Sequence, residues 1–295
     1  MYSKKAFSPR FFGEAEAISA LPERKSDSNK GSFGRALIIS GSEKYIGAAQ
    51  LSLEAALRGG AGYVGYLNEA GLCEVMLMKY PETIYHKVSL SDTAGVLEVA
   101  KGYTSVLVGP GLGCSEEVAR LVEALITSEG GVLIIDADGL NSISKYSSCN
   151  VFSARRREII ITPHPLELSR LSGIEVADIN SERVKIVAEL SERWGVTLLL
   201  KGEGTVVSDG KRVYVNTSGN PALAKAGSGD VLSGLIASLS AFMQDKTLSA
   251  ILSAFIHGLA AERESSTLST FGVLPSELPR RIAEVLCRLE KSQKM

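Results

Sequence analysis

The stretch ALIISGSEKYIGAAQLSLEAALRGGAGYVGYL, residues 36–67, holds a complete structural unit. Its first run, 36–41, is apolar without alternation, as in a strand buried on both faces. Residues 47–59 then place apolar side chains at i, i+3 and i+4, the period of an amphipathic helix. A second apolar run follows at 62–67. Two strands joined by a helix of this length must run parallel. The rhythm repeats outward, with apolar runs at 105–111, 131–139, 158–165 and 196–202. Helical patterns lie between them at 115–128, with Ser115 as N-cap, and at 180–195, ending on Gly195. The expected fold class is therefore α/β, a mostly parallel central sheet flanked by helices in three layers, α/β/α.

The rhythm changes after residue 202. Residues 204–219 read as two short strands around Asp209-Gly210, a hairpin signal. Two long helices are expected at 229–242 and 247–264, and a last one after Pro275. There is no internal repeat. Residues 1–295 read as one domain, with about 1–25 a loosely held extension apart from a short helix.

Composition narrows the function classes. Of 295 residues, 45% are hydrophobic and 22% charged, with a net charge of −1. That is the profile of an ordinary soluble globular protein. Nothing marks a nucleic-acid surface, and Arg155-Arg156-Arg157 reads as a solvated loop. No stretch reaches membrane-spanning length. The N-terminus has no long apolar run and carries Glu14 and Glu16, so a secretory signal is not expected. Cys73, Cys114, Cys149 and Cys287 stand too far apart for a zinc motif and read as reduced thiols in a cytoplasm.

In open α/β sheets, ligands bind beyond the carboxyl ends of the strands. The runs there end in chemistry-bearing loops. SGSEKYIGAA (40–49) fits neither a P-loop nor a dinucleotide fingerprint, yet its Ala48-Ala49 pair would allow a ligand close to a helix start. VGPGLG (108–113) has three alternating glycines, which suit backbone lying flat against a ligand or a plain turn. IIDADGLN (134–141) carries Asp136 and Asp138. If the strand persists they lie on one side and could share a hydrated Mg²⁺; alternatively one caps the next helix. TPHPLEL (162–168) holds His164 between prolines, placed to donate to a polar substrate or to shape a turn. LLLKGEGT (198–205) puts Lys201 at a strand end, within reach of a phosphate, with glycines that permit close approach. In AKAGSGDVLSG (224–234), N–H groups at a helix start near Asp230 would form an anion hole from Gly227, Ser228 and Gly229. Asp230 is then a helix cap or the general base that takes a proton from an attacking hydroxyl.

The motifs taken together, from about residue 25 to 265, resemble the ADP- or ATP-dependent NAD(P)H-hydrate dehydratases of the ribokinase-like superfamily. The resemblance implies repair of nicotinamide cofactors whose reduced ring has been hydrated. ADP would phosphorylate the ring hydroxyl of the S epimer, and phosphate would leave, giving NADH or NADPH and AMP. It implies Ala49, Gly111, His164 and Asp230 as contacts of the hydrated cofactor, and Asp230 as the catalytic group. Lys201, Gly202, Glu203, Gly204, Thr205 and Gly229 would form the ADP or ATP site, with Mg²⁺ as cofactor. A homotetramer is implied, acting beside a separate epimerase. Leu166 and Ser228 depart from the family pattern, where glycine and threonine are common. Two other readings share the phosphate machinery: a kinase for a vitamin precursor, and a catalytically idle nucleotide-binding sensor.

Overall fold

The computed structural model describes residues 8–294. Ten strands form one sheet: β1 (Arg10–Phe12), β2 (Arg35–Ile39), β3 (Tyr63–Asn68), β4 (Ile84–Lys87), β5 (Ser105–Val108), β6 (Val132–Ile135), β7 (Ile159–Ile161), β8 (Thr197–Leu200), β9 (Val206–Ser208) and β10 (Val213–Asn216). Their order is β1-β10-β9-β8-β7-β6-β5-β2-β3-β4. From β4 to β8 every pairing is parallel, and β9 is antiparallel to both its neighbours. The apolar runs read from the sequence are these central strands, buried on both faces as unalternated residues require.

Helices cover both faces. Ile46–Arg58, Ser228–Phe242, Lys246–Gly272 and Leu278–Gln293 pack on one side, around Ile38, Leu107 and Ile134. Glu116–Thr127, Asp138–Tyr146, Pro165–Ser172 and Arg183–Trp194 pack on the other, around Leu37, Val106 and Leu133. Neighbouring residues of one strand thus feed opposite cores, the period of two at work. The architecture is the expected three-layer α/β/α fold. No helix among the described residues is long and apolar enough to cross a membrane.

Several boundaries differ from the sequence reading. The 180–195 helix is two, Val176–Ser181 and Arg183–Trp194, because Glu182 adopts φ −120° and ψ 34° between them. The 247–264 helix runs on to Gly272, with a non-helical Ser269 near its end. The N-terminal extension is anchored: β1 pairs with β10, and Phe12 is buried against Tyr214 and Phe255. Residues 1–7 of that extension lie outside the described residues.

The Ser228–Phe242 helix is the most deeply set, with twelve buried residues in its fifteen. It lies against the Ile46–Arg58 helix so closely that a Cβ on Gly234 would collide with the Ser52 backbone. Gly234→Ala is therefore expected to overpack this contact and cost about 1–3 kcal/mol. Denaturant unfolding checks it; an unchanged midpoint would mean that the two helices separate without cost.

Candidate functional site

Three strand ends deliver the polar side chains. β6 ends at Ile135 and is followed by Asp136, β7 by Thr162-Pro163-His164, and β8 by Lys201. Lys201 leaves its strand with its backbone N–H donated to the Pro163 carbonyl at 2.9 Å. Its Nζ then reaches Asp136 Oδ1 at 2.7 Å and lies 3.8 Å from Glu167 Oε2. Asp136 is 1% exposed and Glu167 4%, so this is a desolvated cluster. Burial opposes the charge on Lys201, but Asp136 and Glu167 hold its pKa above the ordinary lysine value. Burial raises Glu167, with Lys201 opposing and Asp136 adding to the rise.

The start of the Ser228–Phe242 helix faces this cluster. Gly227 is the N-cap residue at φ 99°, a left-handed conformation that costs glycine nothing. Asp230 is the third helical residue and makes no capping hydrogen bond, so the capping role is excluded here. The Ser228 N–H turns inward to Lys225 O at 3.2 Å, and Val231 N–H returns to Gly227 O. This corrects one member of the anion hole read from the sequence, Ser228; the Gly227, Gly229 and Asp230 N–H groups find no acceptor among the described residues. Lys201 Nζ sits beside them, 3.5 Å from where a Gly229 Cβ would be.

Asp230 stands next to positive dipole ends, yet its pKa is pushed up to about 7. Burial is the main cause, then the Asp136 carboxylate; Lys201 opposes, while Asp138 and Glu167 add to the rise. A carboxylate that loses its proton near neutrality suits general-base work.

The remaining residues fall into place around this centre. His164 is the N-cap of Pro165–Ser172: its Nδ1 accepts the Glu167 N–H at 3.2 Å, and Glu167 Oε2 accepts the His164 N–H at 2.8 Å. Burial and the nearby Lys201 lower its pKa, so the ring is neutral at pH 7. The Gly41 N–H donates to Pro110 O at 2.7 Å, joining the two glycine loops. Gly111 lies on the start of the Ile46–Arg58 helix, where a Cβ would come 2.7 Å from Ala48 Cβ. Ala49 has no exposed surface, since its methyl fills the turn at Gly41; Gly47 and Ala48 keep the accessible positions. In the 201–205 loop, Gly202 and Glu203 are exposed, while buried Thr205 donates to Gly202 O at 2.9 Å and closes the loop. Asp136 and Asp138 do not continue one strand: Ala137 turns at φ 49°, and Asp138 opens a helix, accepting from Gly113 N at 2.8 Å.

Three residues of the site escaped the sequence reading. Glu167 stands three places after His164, the spacing of a capping box, which was its legible signal. Arg183 donates to the Leu200 and Lys201 carbonyls at 3.1 and 3.2 Å, holding the loop from behind. Buried His257 faces the start of the Ser228–Phe242 helix and is driven down to about 4 by burial. Neither shows any sequence signal, because both act across the fold.

Comparison with known proteins gives one family. Residues 36–284 match the model of the NAD(P)H-hydrate dehydratase family. A bifunctional NAD(P)H-hydrate repair enzyme of Thermofilum pendens is 38% identical over 255 residues, 82% of this chain and 48% of that protein. The chain thus spans about half the length of such relatives. The ADP-dependent (S)-NAD(P)H-hydrate dehydratase of Neisseria meningitidis is 34% identical over 274 residues, 91% of this chain and 90% of that one. The crystal structure of the ADP/ATP-dependent NAD(P)H-hydrate dehydratase from Bacillus subtilis, co-crystallized with ATP/Mg²⁺, superposes with a TM-score of 0.87. It is 29% identical and covers 97% of this chain and 100% of its own.

Two stability experiments test the cluster. A raised carboxyl pKa adds stability below the unfolded value of about 3.9, and that stability is lost as pH rises through the folded value. For Asp230 the loss runs from there to about 7. Asp230→Asn has no such loss, so its melting temperature should exceed the parent's by more at pH 8 than at pH 5. An equal difference at both pH values would reject the raised pKa. Lys201→Ala leaves Asp136 buried and alone, and should cost about 3–5 kcal/mol in urea unfolding, while Lys201→Met with Asp136→Asn restores most of it. A Lys201→Ala midpoint equal to the parent's would show that the pair is not desolvated.

Proposed function

The chain belongs to the NAD(P)H-hydrate dehydratase family, and from that membership we propose that it dehydrates the S epimer of hydrated NADH and NADPH at the expense of ADP. The observation that carries the reading is Asp230: an unbonded carboxylate, titrating near 7, beside two outward N–H groups and a lysine. The ring hydroxyl attacks the terminal phosphorus of ADP and gives its proton to Asp230. The bond from that phosphorus to AMP breaks, and the Gly229 and Asp230 N–H groups receive the charge that develops on the transferring phosphoryl oxygens. The carbon–oxygen bond of the phosphorylated ring then breaks, and phosphate departs with the electron pair. Loss of a proton from the adjacent carbon restores the double bond. The products are NADH or NADPH, AMP and phosphate. Hydroxide leaves poorly and phosphate well, which is why a dehydration uses a kinase-like site.

Lys201 and the 201–205 loop receive the nucleotide in this reading, and His164 orients the hydrated ring. Three carboxylates (Asp136, Asp138, Glu167) and one lysine stand about Asp230, where phosphates must enter. That donor chemistry fits Mg²⁺, which takes oxygen ligands and comes with phosphates and water. No three such groups among the described residues form a ready cage, so one or two carboxylates, Asp136 and Asp138 first, would hold the ion. When bound, it neutralises phosphate charge. A cytoplasmic homotetramer working beside an epimerase completes the reading, the latter supported by the bifunctional relatives.

The test is one assay with ADP, Mg²⁺ and hydrated NADH. Absorbance of the reduced ring should return with one AMP formed per ring repaired. A stable phosphoester without repair would replace this reading with a vitamin-precursor kinase, and bound nucleotide without turnover would replace it with a sensor. Asp230→Asn should lower kcat about 10²–10⁴-fold. A variant within a few-fold of the parent would remove Asp230 as the base.

A further inference from the structure

One residue binds the His164 imidazole at Nδ1 and faces it at Nε2. Glu167 donates its backbone N–H to Nδ1 at 3.2 Å and holds carboxylate Oε1 3.4 Å from Nε2. Its other oxygen, Oε2, accepts the His164 backbone N–H at 2.8 Å. The reaction sequence above gives Glu167 no task, although it is 4% exposed in the middle of the site. A helix needs only a side-chain acceptor at its N-cap, and serine or aspartate would serve. A histidine bound at one nitrogen and faced by a carboxylate at the other is a different device.

A ring nitrogen that accepts a hydrogen bond carries no proton, so a neutral ring with Nδ1 accepting is protonated on Nε2. The carboxylate 3.4 Å from Nε2 favours the proton there by its charge, without a hydrogen bond that would take the N–H from a ligand. The His164 side chain is 45% exposed and that of Glu167 5%, so ligand meets the ring and not the carboxylate. We propose that Glu167 is a positioning residue whose backbone N–H sets His164 in the Nε2–H tautomer and whose carboxylate orients the ring, so that His164 offers the substrate a hydrogen-bond donor and no acceptor. The site then selects an amide or hydroxyl oxygen at that point and penalises a donor. This rests on His164 as a substrate contact, but the tautomer is measurable without turnover.

The experiment uses the full chain labelled with ¹⁵N-histidine. It contains three histidines, and His164→Ala assigns the signal. In the parent, His164 should show a single species protonated at Nε2. Glu167→Gln keeps the reach, an oxygen for the His164 N–H and the backbone N–H that binds Nδ1, but removes the charge facing Nε2. Its His164 signal should therefore stay with the Nε2–H tautomer while the ring is held less firmly. KM for the hydrate should rise roughly two- to tenfold, the worth of one neutral hydrogen bond, with kcat within about twofold. In a His164→Ala background the same substitution should leave KM unchanged. If Glu167→Gln does not fold, Glu167→Asp keeps charge near Lys201, withdraws from Nε2, and should show the same rise in KM with the same single tautomer. A mixed or Nδ1-protonated His164 in the parent, or an equal KM rise without His164, overturns the proposal. Absence of hydrate repair in the parent would instead overturn the function proposed above and leave the spectrum to decide the tautomer.

Discussion

Lys201 is asked to balance more negative charge than it carries. Its Nζ lies 2.7 Å from a fully buried Asp136 and 3.8 Å from a buried Glu167, and Asp230 feels the same field. Taking a carboxylate out of water costs several kcal/mol unless a partner compensates it. The remaining charge must therefore be lost as proton uptake or met by a ligand. Asp230 is the group that yields, because it has neither an ion-pair contact nor a capping bond. The proposed function draws on that imbalance: one carboxylate is kept basic enough to accept a proton, and cationic or hydrogen-bonding ligands are welcomed.

Such a cluster would relax if its walls could move. They are held by backbone approaches that only small residues allow. Gly111 rests on the start of the Ile46–Arg58 helix, and the Gly41 N–H ties that turn to Pro110. The Ser228–Phe242 helix is pressed on the same helix and buried along most of its length. Its N-terminal dipole is thus aimed by the core and cannot swing away from Lys201. Preorganised donors of this sort are worth more than mobile ones, since no reorganisation is needed as charge develops.

The central fold was legible because buried parallel strands leave unalternated apolar runs and their crossover helices leave a clean 3.6 period. What failed was local. Asp138 was read with Asp136 because a strand pattern gives no warning of a positive φ at Ala137. The split at Glu182 has no glycine or proline to mark it. Edge strand β1 is three residues long and earns its place through Phe12, whose partners Tyr214 and Phe255 lie some 200 residues away in sequence. In the site, the motif residues were visible because loops beyond strand ends concentrate glycine, proline and charge. Arg183 and His257 were not, since each stabilises a motif from an unrelated helix.

His164 shows how a structural and a chemical role coincide. As N-cap it satisfies the Glu167 N–H, and that same bond consumes the lone pair of Nδ1. The helix cannot be capped by this side chain without also fixing where its proton resides. Pro165 at the first helical position sets the backbone angle at no hydrogen-bond cost. The cap, the proline and the buried glutamate therefore leave His164 with one exposed edge and one polarity at that edge. An ordinary helix start thereby becomes a directional donor beside a carboxylate-rich cluster, and the direction is set before any ligand arrives.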